Sequence, residues 1–168
     1  MVVYCPRCWA EVKEGASTCR VCGASLAADE DFVAKLIAAL HHREPTRAAL
    51  AIEILADHLR EPRGYEPILT LLTPERDAYV VLTAVRALAR WGDRRAVEPL
   101  AHLLLNPAAP LVVRKAVVEA LAQLGGDAAQ AALQAALADP NAVVVATARA
   151  QLTRFTSKEG GSSWRASS

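Results

Sequence analysis

The chain has 168 residues, with 19 Lys+Arg against 18 Asp+Glu and a net charge of +1. Hydrophobic residues make up 53% but aromatics only 5%, so a core must be built from Ala, Leu and Val, which favours close-packed helices over a β-sandwich. The balanced charge removes any global electrostatic case for nucleic acid or an anionic membrane.

The N-terminus, MVVYCPRC, has no basic region followed by an apolar run, so no signal peptide is expected. The longest apolar stretches, such as 100–105 and 142–148, fall far short of the ~20 residues that a membrane span needs. No membrane insertion is expected, and the expected compartment is the cytoplasm.

All four cysteines, Cys5, Cys8, Cys19 and Cys22, lie in the stretch CPRCWAEVKEGASTCRVC, as two C-x2-C pairs ten residues apart. Two residues between cysteines let the backbone form a tight knuckle with both thiolates pointing inward. Two such knuckles supply the tetrahedral ligand set of a structural Zn2+. Pro6 stiffens the first knuckle and Gly23 permits a sharp turn after the second. Disulfides would suit a secreted chain and a redox pair would not need two symmetric copies, whereas iron could use the same ligands. Zinc is the expected metal, one ion with no open coordination position.

The segment 3–25 resembles the zinc-ribbon family, which carries paired CPxC and CxxCG knuckles on short β-hairpins. The resemblance implies the metal but no single function, because zinc ribbons bind nucleic acid, dock proteins or cap structures. A segment this small needs the metal to fold. Trp9 is expected to cover a knuckle or to pack on the next domain.

Four segments then recur: LIAAL at 36–40, ILTLL at 68–72, LAHLL at 100–104 and LQAAL at 133–137, at spacings of 32, 32 and 33 residues. Each places apolar residues on one helical face. Pro45, Pro74, Pro107 and Pro140 come after them, and second apolar-periodic runs begin near 46–59, 76–91, 110–124 and 141–155. Gly92 and Gly125 sit where helix C-caps belong. The pattern is helix, Pro-containing turn, helix, four times.

The stretches APLVVRKAVVEALAQLG (109–125) and DPNAVVVATARAQL (139–152) resemble the short HEAT-like repeat, roughly DPxxxVRxxAxxALG, found among bacterial proteins including the bilin lyases of phycobilisomes. Val113, Arg114, Ala116, Ala120, Leu121 and Gly125 match that pattern, whereas Val81 and Val145 stand at the arginine position. The resemblance implies a mainly α chain: a right-handed α-solenoid of four HEAT-like helix pairs behind the small zinc ribbon. Repeats are expected at about 29–60, 64–92, 94–125 and 127–155, with the ribbon over 1–25 and a flexible tail over 156–168. The ribbon is separated from the first helix by only residues 24–28, so it could cap the exposed end of the stack or act as a docking module. Val143, Val144 and Val145 in succession imply that one faces outward, a surface for self-association through the C-terminal helix.

No catalytic constellation is visible. His41 and His42 are adjacent and point about 100° apart on a helix, a poor chelating pair. His58 and His102 are isolated, there is no phosphate-binding glycine loop, and the His-Glu pairs of iron hydroxylases that resemble this fold are missing. The expectation is therefore not an enzyme but a non-catalytic adaptor or accessory subunit that binds another protein on its concave face. Arg86, Arg90, Lys115, Glu119 and Gln123 are the expected partner-binding residues. The alternatives are a nucleic-acid-associated zinc-ribbon factor, using Arg86, Arg90, Arg94 and Arg95 with Arg7 and Arg20, and a maturation chaperone resembling the bilin lyases. Nucleic acid is not the expected partner, because acidic residues are interspersed in that run and no aromatics accompany it.

Overall fold

The structure, a computed structural model, describes residues 3, 4, 8, 10–13, 16, 18–24 and 30–159. Cys5, Pro6, Arg7 and Trp9 lie outside the described residues. Two short strands, β1 (Val3–Tyr4) and β2 (Glu11–Val12), pair antiparallel with Val3 opposite Val12 and Tyr4 opposite Glu11. They form one hairpin among the described residues, where the zinc-ribbon resemblance implied more than one.

From Glu30 onward the described chain is built of helical hairpins. The eight helices are α1 (Glu30–Ala39), α2 (Pro45–Glu53), α3 (Tyr65–Leu69), α4 (Ala78–Trp91), α5 (Val97–Leu105), α6 (Leu111–Leu124), α7 (Asp127–Ala135) and α8 (Ala142–Glu159). They pack as α1 with α2, α3 with α4, α5 with α6, and α7 with α8. The second members also stack on one another in the order α2, α4, α6, α8 and form one continuous layer. This is the helical solenoid that the repeat spacing predicts. Because the period is carried by helix pairs, each pair buries its apolar face only against its neighbours.

The core is aliphatic, as the scarcity of aromatics requires. Leu40, Ile52, Leu55, Ile68, Leu71, Leu88, Leu100, Leu104, Leu121 and Leu133 are all fully buried. Each such side chain contributes on the order of 1.5–3 kcal/mol through burial. Alanines such as Ala84, Ala87 and Ala120, also buried, let the stacked helices approach closely. The connected core begins at Val33, and no described residue of the ribbon joins it.

The prolines act at helix starts as well as stops. Pro45 opens α2 at its first turn, where a missing N–H costs nothing, and Pro110 is the N-cap residue of α6. Asp77 caps α4 by accepting a hydrogen bond from the Tyr79 N–H at 2.9 Å. Gly92 and Gly125 close α4 and α6 with φ of 77° and 67°, the left-handed half of backbone space that the glycine spacing pointed to. The first pair has no glycine there and ends differently. α2 runs on as a π turn, Ile54–His58, and the chain then reverses at Arg60, whose φ is 47°. Gly64 comes next because its backbone lies against Leu55: a Cβ would sit 3.2 Å from that residue's own Cβ.

One polar pair is buried inside the stack. The Arg114 guanidinium on α6 donates to the Asp139 carboxylate just before α8, with side chains 10% and 6% exposed. Asp139 also accepts from the Asn141 N–H at 2.8 Å, so it ties the turn to the preceding pair. At the matching place one repeat earlier, Val81 replaces the arginine and Asn106 replaces the aspartate. Asn106 keeps the local half of the job by accepting from the Ala108 N–H at 2.9 Å. At the C-terminus α8 extends to Glu159, past the expected start of a tail at 156. The residues concerned, TSKE, contain neither Gly nor Pro and so do not stop a helix.

Candidate metal centre and concave surface

The N-terminal segment gathers three of its cysteines. The Sγ atoms of Cys8, Cys19 and Cys22 all lie within 4.8 Å of one another, and those of Cys8 and Cys19 are 3.6 Å apart. That is well beyond a disulfide bond of about 2 Å. It is close to the ~3.8 Å edge of a tetrahedron built on Zn–S bonds of about 2.3 Å. The backbone supports the same chemistry. Amides of Cys22 and Val21 point at the Cys19 sulfur and pull its pKa down to about 6, so that thiolate is ready to act as a ligand. The turn is fixed by the Gly23 N–H donating to the Cys19 carbonyl at 2.9 Å, with Gly23 at a φ of 69°. These three cysteines are the one group among the described residues able to hold a metal ion. Cys5, the fourth expected ligand, lies outside the described residues.

The second candidate is the surface of the α2–α4–α6–α8 layer. Residues in the same register on successive helices form rows across it. Tyr79, Val112 and Val143 are about half exposed near the starts of α4, α6 and α8. One to two turns on come Leu82 and Lys115, then Arg86 and Glu119, and at the far end Arg90, Gln123 and Arg154. Of the five expected partner-binding residues, four line one cavity of about 130 Å³ between α4 and α6: Arg86, Arg90, Glu119 and Gln123. Lys115 is exposed on the same helix, one turn before Glu119, but does not line that cavity.

A larger cavity, about 770 Å³, opens beside it between α6 and α8. Glu119 and Gln123 line it from α6, and Gln151 and Arg154 line it from α8. Those last two residues are not among the expected ones. The signal is present in the period, since Arg154 stands 31 residues after Gln123. The three successive valines resolve as expected in one respect: Val144 is buried and Val143 is 48% exposed.

The arginine run does not act as one basic patch. Arg90 is bound to Asp57 of the preceding pair through two hydrogen bonds of 2.9 and 2.7 Å. The π turn carries Asp57 into that position. Arg95 pairs with Asp93 at 2.7 Å and with Glu66 at 3.0 Å, and it stacks over the Tyr65 ring at 4.4 Å. The Arg95 guanidinium holds the Asp93 carboxyl below its ordinary range. Tyr65 itself meets Trp91 edge-on at 5.4 Å, and burial pushes its hydroxyl up to about 12. The histidines are equally dispersed. His41 faces Arg76, and His42 Nδ1 accepts from the Glu44 N–H.

Comparison with known proteins gives the same architecture. The family model for HEAT repeats matches residues 33–112 and 65–153. No curated protein matches the chain. Eighteen solved chains match it. One is the structure of human deoxyhypusine hydroxylase in complex with glycerol, with 25% identity and a TM-score of 0.62, over 77% of this chain and 45% of that one. This chain thus spans less than half the length of that hydroxylase.

That likeness overturns the expectation that the chain is not an enzyme. The expectation rested on missing local motifs, and a solenoid assembles sites from residues many repeats apart, so such motifs are a poor guide on this fold. The architecture itself is not in question. Because the family match runs from α1 into α8, the chain belongs to the HEAT-repeat family.

Proposed function

We propose that this protein docks another protein along the layer formed by α2, α4, α6 and α8, with a zinc-bound ribbon at its N-terminal end. The observation that carries the reading is the pair of adjoining cavities that share Glu119 and Gln123. They make a trough across successive helices, lined by exposed polar side chains on a rigid aliphatic scaffold. Stacked helix pairs present such extended surfaces without a dedicated pocket. Four thiolates, those of Cys5, Cys8, Cys19 and Cys22, would hold one structural Zn2+ and give the small N-terminal segment the stability its size denies it. The commitment of Arg90 and Arg95 to carboxylates weighs against a nucleic-acid surface, since those guanidinium groups are already neutralised.

A photo-crosslinking residue placed at Gln123 tests the docking reading, with a second placed at Glu98, an exposed residue of α5 in the other layer. A protein partner captured from native lysate through Gln123, unaffected by nuclease, and not through Glu98 is the expected result. Capture through Glu98 alone, or capture that nuclease abolishes, would sink the proposal.

A further inference from the structure

We infer that the docked segment is an extended acidic peptide, seated across α4, α6 and α8. The inference rests on the docking reading above and deepens it by naming the chemistry of the partner.

The first argument is size. Stacked helices lie about 8–10 Å apart, so the trough from α4 to α8 spans roughly 16–20 Å. An extended chain rising ~3.3 Å per residue covers that distance in about five or six residues. A helical segment of the same length would reach only about half as far, at 1.5 Å per residue.

The second argument is the main-chain chemistry of the floor. Gln123 and Gln151 each offer an amide donor and a carbonyl acceptor, the complement of a peptide group. Glu119, between the two cavities, can accept from a peptide N–H. An extended peptide has those alternating groups free, whereas a helix has used them internally.

The third argument is charge. Arg86, Lys115, Glu119 and Arg154 make no hydrogen bond or ion pair with any described residue, in contrast to Arg90. Those that line the trough are two cations, Arg86 and Arg154, against the single carboxylate of Glu119, so the unpaired charge there is net positive. The guanidinium groups at the two ends of the trough, Arg86 and Arg154, are suited to the carboxylates of acidic side chains. A nucleic-acid strand fits less well: its phosphates would meet the Glu119 carboxylate at the centre, and the described lining of the two cavities contains no aromatic platform for a base.

The test uses the full chain loaded with zinc and a dye-labelled, end-capped hexapeptide alternating Glu and Gly, read by fluorescence anisotropy. Gln-Gly and Lys-Gly peptides and hexathymidylate serve as comparisons. Binding of the Glu-Gly peptide alone is expected, weakening severalfold as salt rises from about 50 to about 300 mM. Arg86→Glu and Arg154→Glu should each weaken it roughly tenfold. Glu119→Gln, which keeps an acceptor and removes the repulsion, should tighten it severalfold. All three residues are exposed, so far-UV circular dichroism should be unchanged. No binding of the Glu-Gly peptide, indifference to Arg86→Glu and Arg154→Glu, or preference for the Lys-Gly peptide or the oligonucleotide would each overturn the inference. A partner crosslinked at Gln123 through a segment without acidic residues would also overturn it, while leaving the docking reading intact. Failure of crosslinking at Gln123 would instead remove the docking reading itself.

Discussion

The buried Arg114–Asp139 pair makes a prediction whose size follows from its surroundings. With side chains 10% and 6% exposed, neither charge can fall back on water if the other is removed. The Arg114 Nε is already buried without a hydrogen-bond partner, so the guanidinium depends on Asp139 for its compensation. Asp139→Ala should therefore cost about 3–5 kcal/mol, the range for leaving a buried charge unpaired. For a chain of this size that is a fall in Tm of roughly 6–20 °C. The double variant Arg114→Met with Asp139→Asn behaves differently. It removes both charges, retains most of the buried volume, and keeps an oxygen for the Asn141 N–H, as Asn106 does for Ala108. The preceding repeat, with Val81 and Asn106, shows that the stack tolerates this uncharged solution. The double variant should stay within about 1 kcal/mol of the parent. Urea unfolding followed by far-UV circular dichroism measures all three proteins. An Asp139→Ala cost below about 1 kcal/mol, or a double variant as unstable as the single one, would refute the reasoning. The first would mean that water reaches the guanidinium; the second would mean that packing, not charge, sets the stability.

Three further outcomes are expected. Chelation should release one zinc per chain and abolish amide-exchange protection around Cys19 and Cys22, and Cys19→Ser should abolish stoichiometric zinc binding. Since the solenoid core begins at Val33 without any described ribbon residue, chelation should leave the main thermal transition in place, and a collapse of that transition would make the ribbon a structural cap. Gly92→Ala forces a side chain into a φ of 77° with nothing nearby to contact; it should cost about 1–2 kcal/mol in urea unfolding, and a neutral result would show that the cap relaxes. The Tyr65 hydroxyl is held up to about 12 chiefly by burial, so its folded pKa exceeds the unfolded value near 10. Stability from this group is complete below about pH 10 and is lost as pH rises through about 12. An ultraviolet titration should show one of the three tyrosines ionising late, later still in Arg95→Gln because the nearby cation is gone; simultaneous titration of all three would contradict this.

The helical architecture is legible in the sequence because it repeats. A short apolar pattern met once is ambiguous, but the same spacing met four times at 32, 32 and 33 residues fixes the pairing of helices. What the pattern hides is the local exception. Nothing in ILADHLREPRG announces that α2 ends in a π turn and reverses at Arg60, because no glycine marks the reversal. Placing an arginine at positive φ costs about 1–2 kcal/mol, and a linear apolar pattern carries no mark of it. The exclusion of catalysis fails for a related reason: local motifs are neighbours in sequence, and this fold makes its sites from neighbours in space.

The surface is partly legible on the same grounds. Aligning repeats places Arg86 and Arg90 beside Glu119 and Gln123, and the two helices do meet there. The expected residues stop at α6, although the last helix pair is a wall of the trough and not merely the end of the stack. Continuing the row by 31 residues leads from Gln123 to Arg154 and to the larger cavity. Pairing is not legible in the same way. Arg86 and Arg90 are four residues apart and chemically identical, yet Arg90 is bound by Asp57 from the preceding pair while Arg86 has no partner among the described residues. Which arginine is available to a ligand is thus set by the π turn that carries Asp57, one repeat away. A change in that turn that frees Arg90 would add a third available guanidinium to Arg86 and Arg154 in the trough. If the trough takes an acidic peptide, such a change should tighten peptide binding without touching any residue that contacts it.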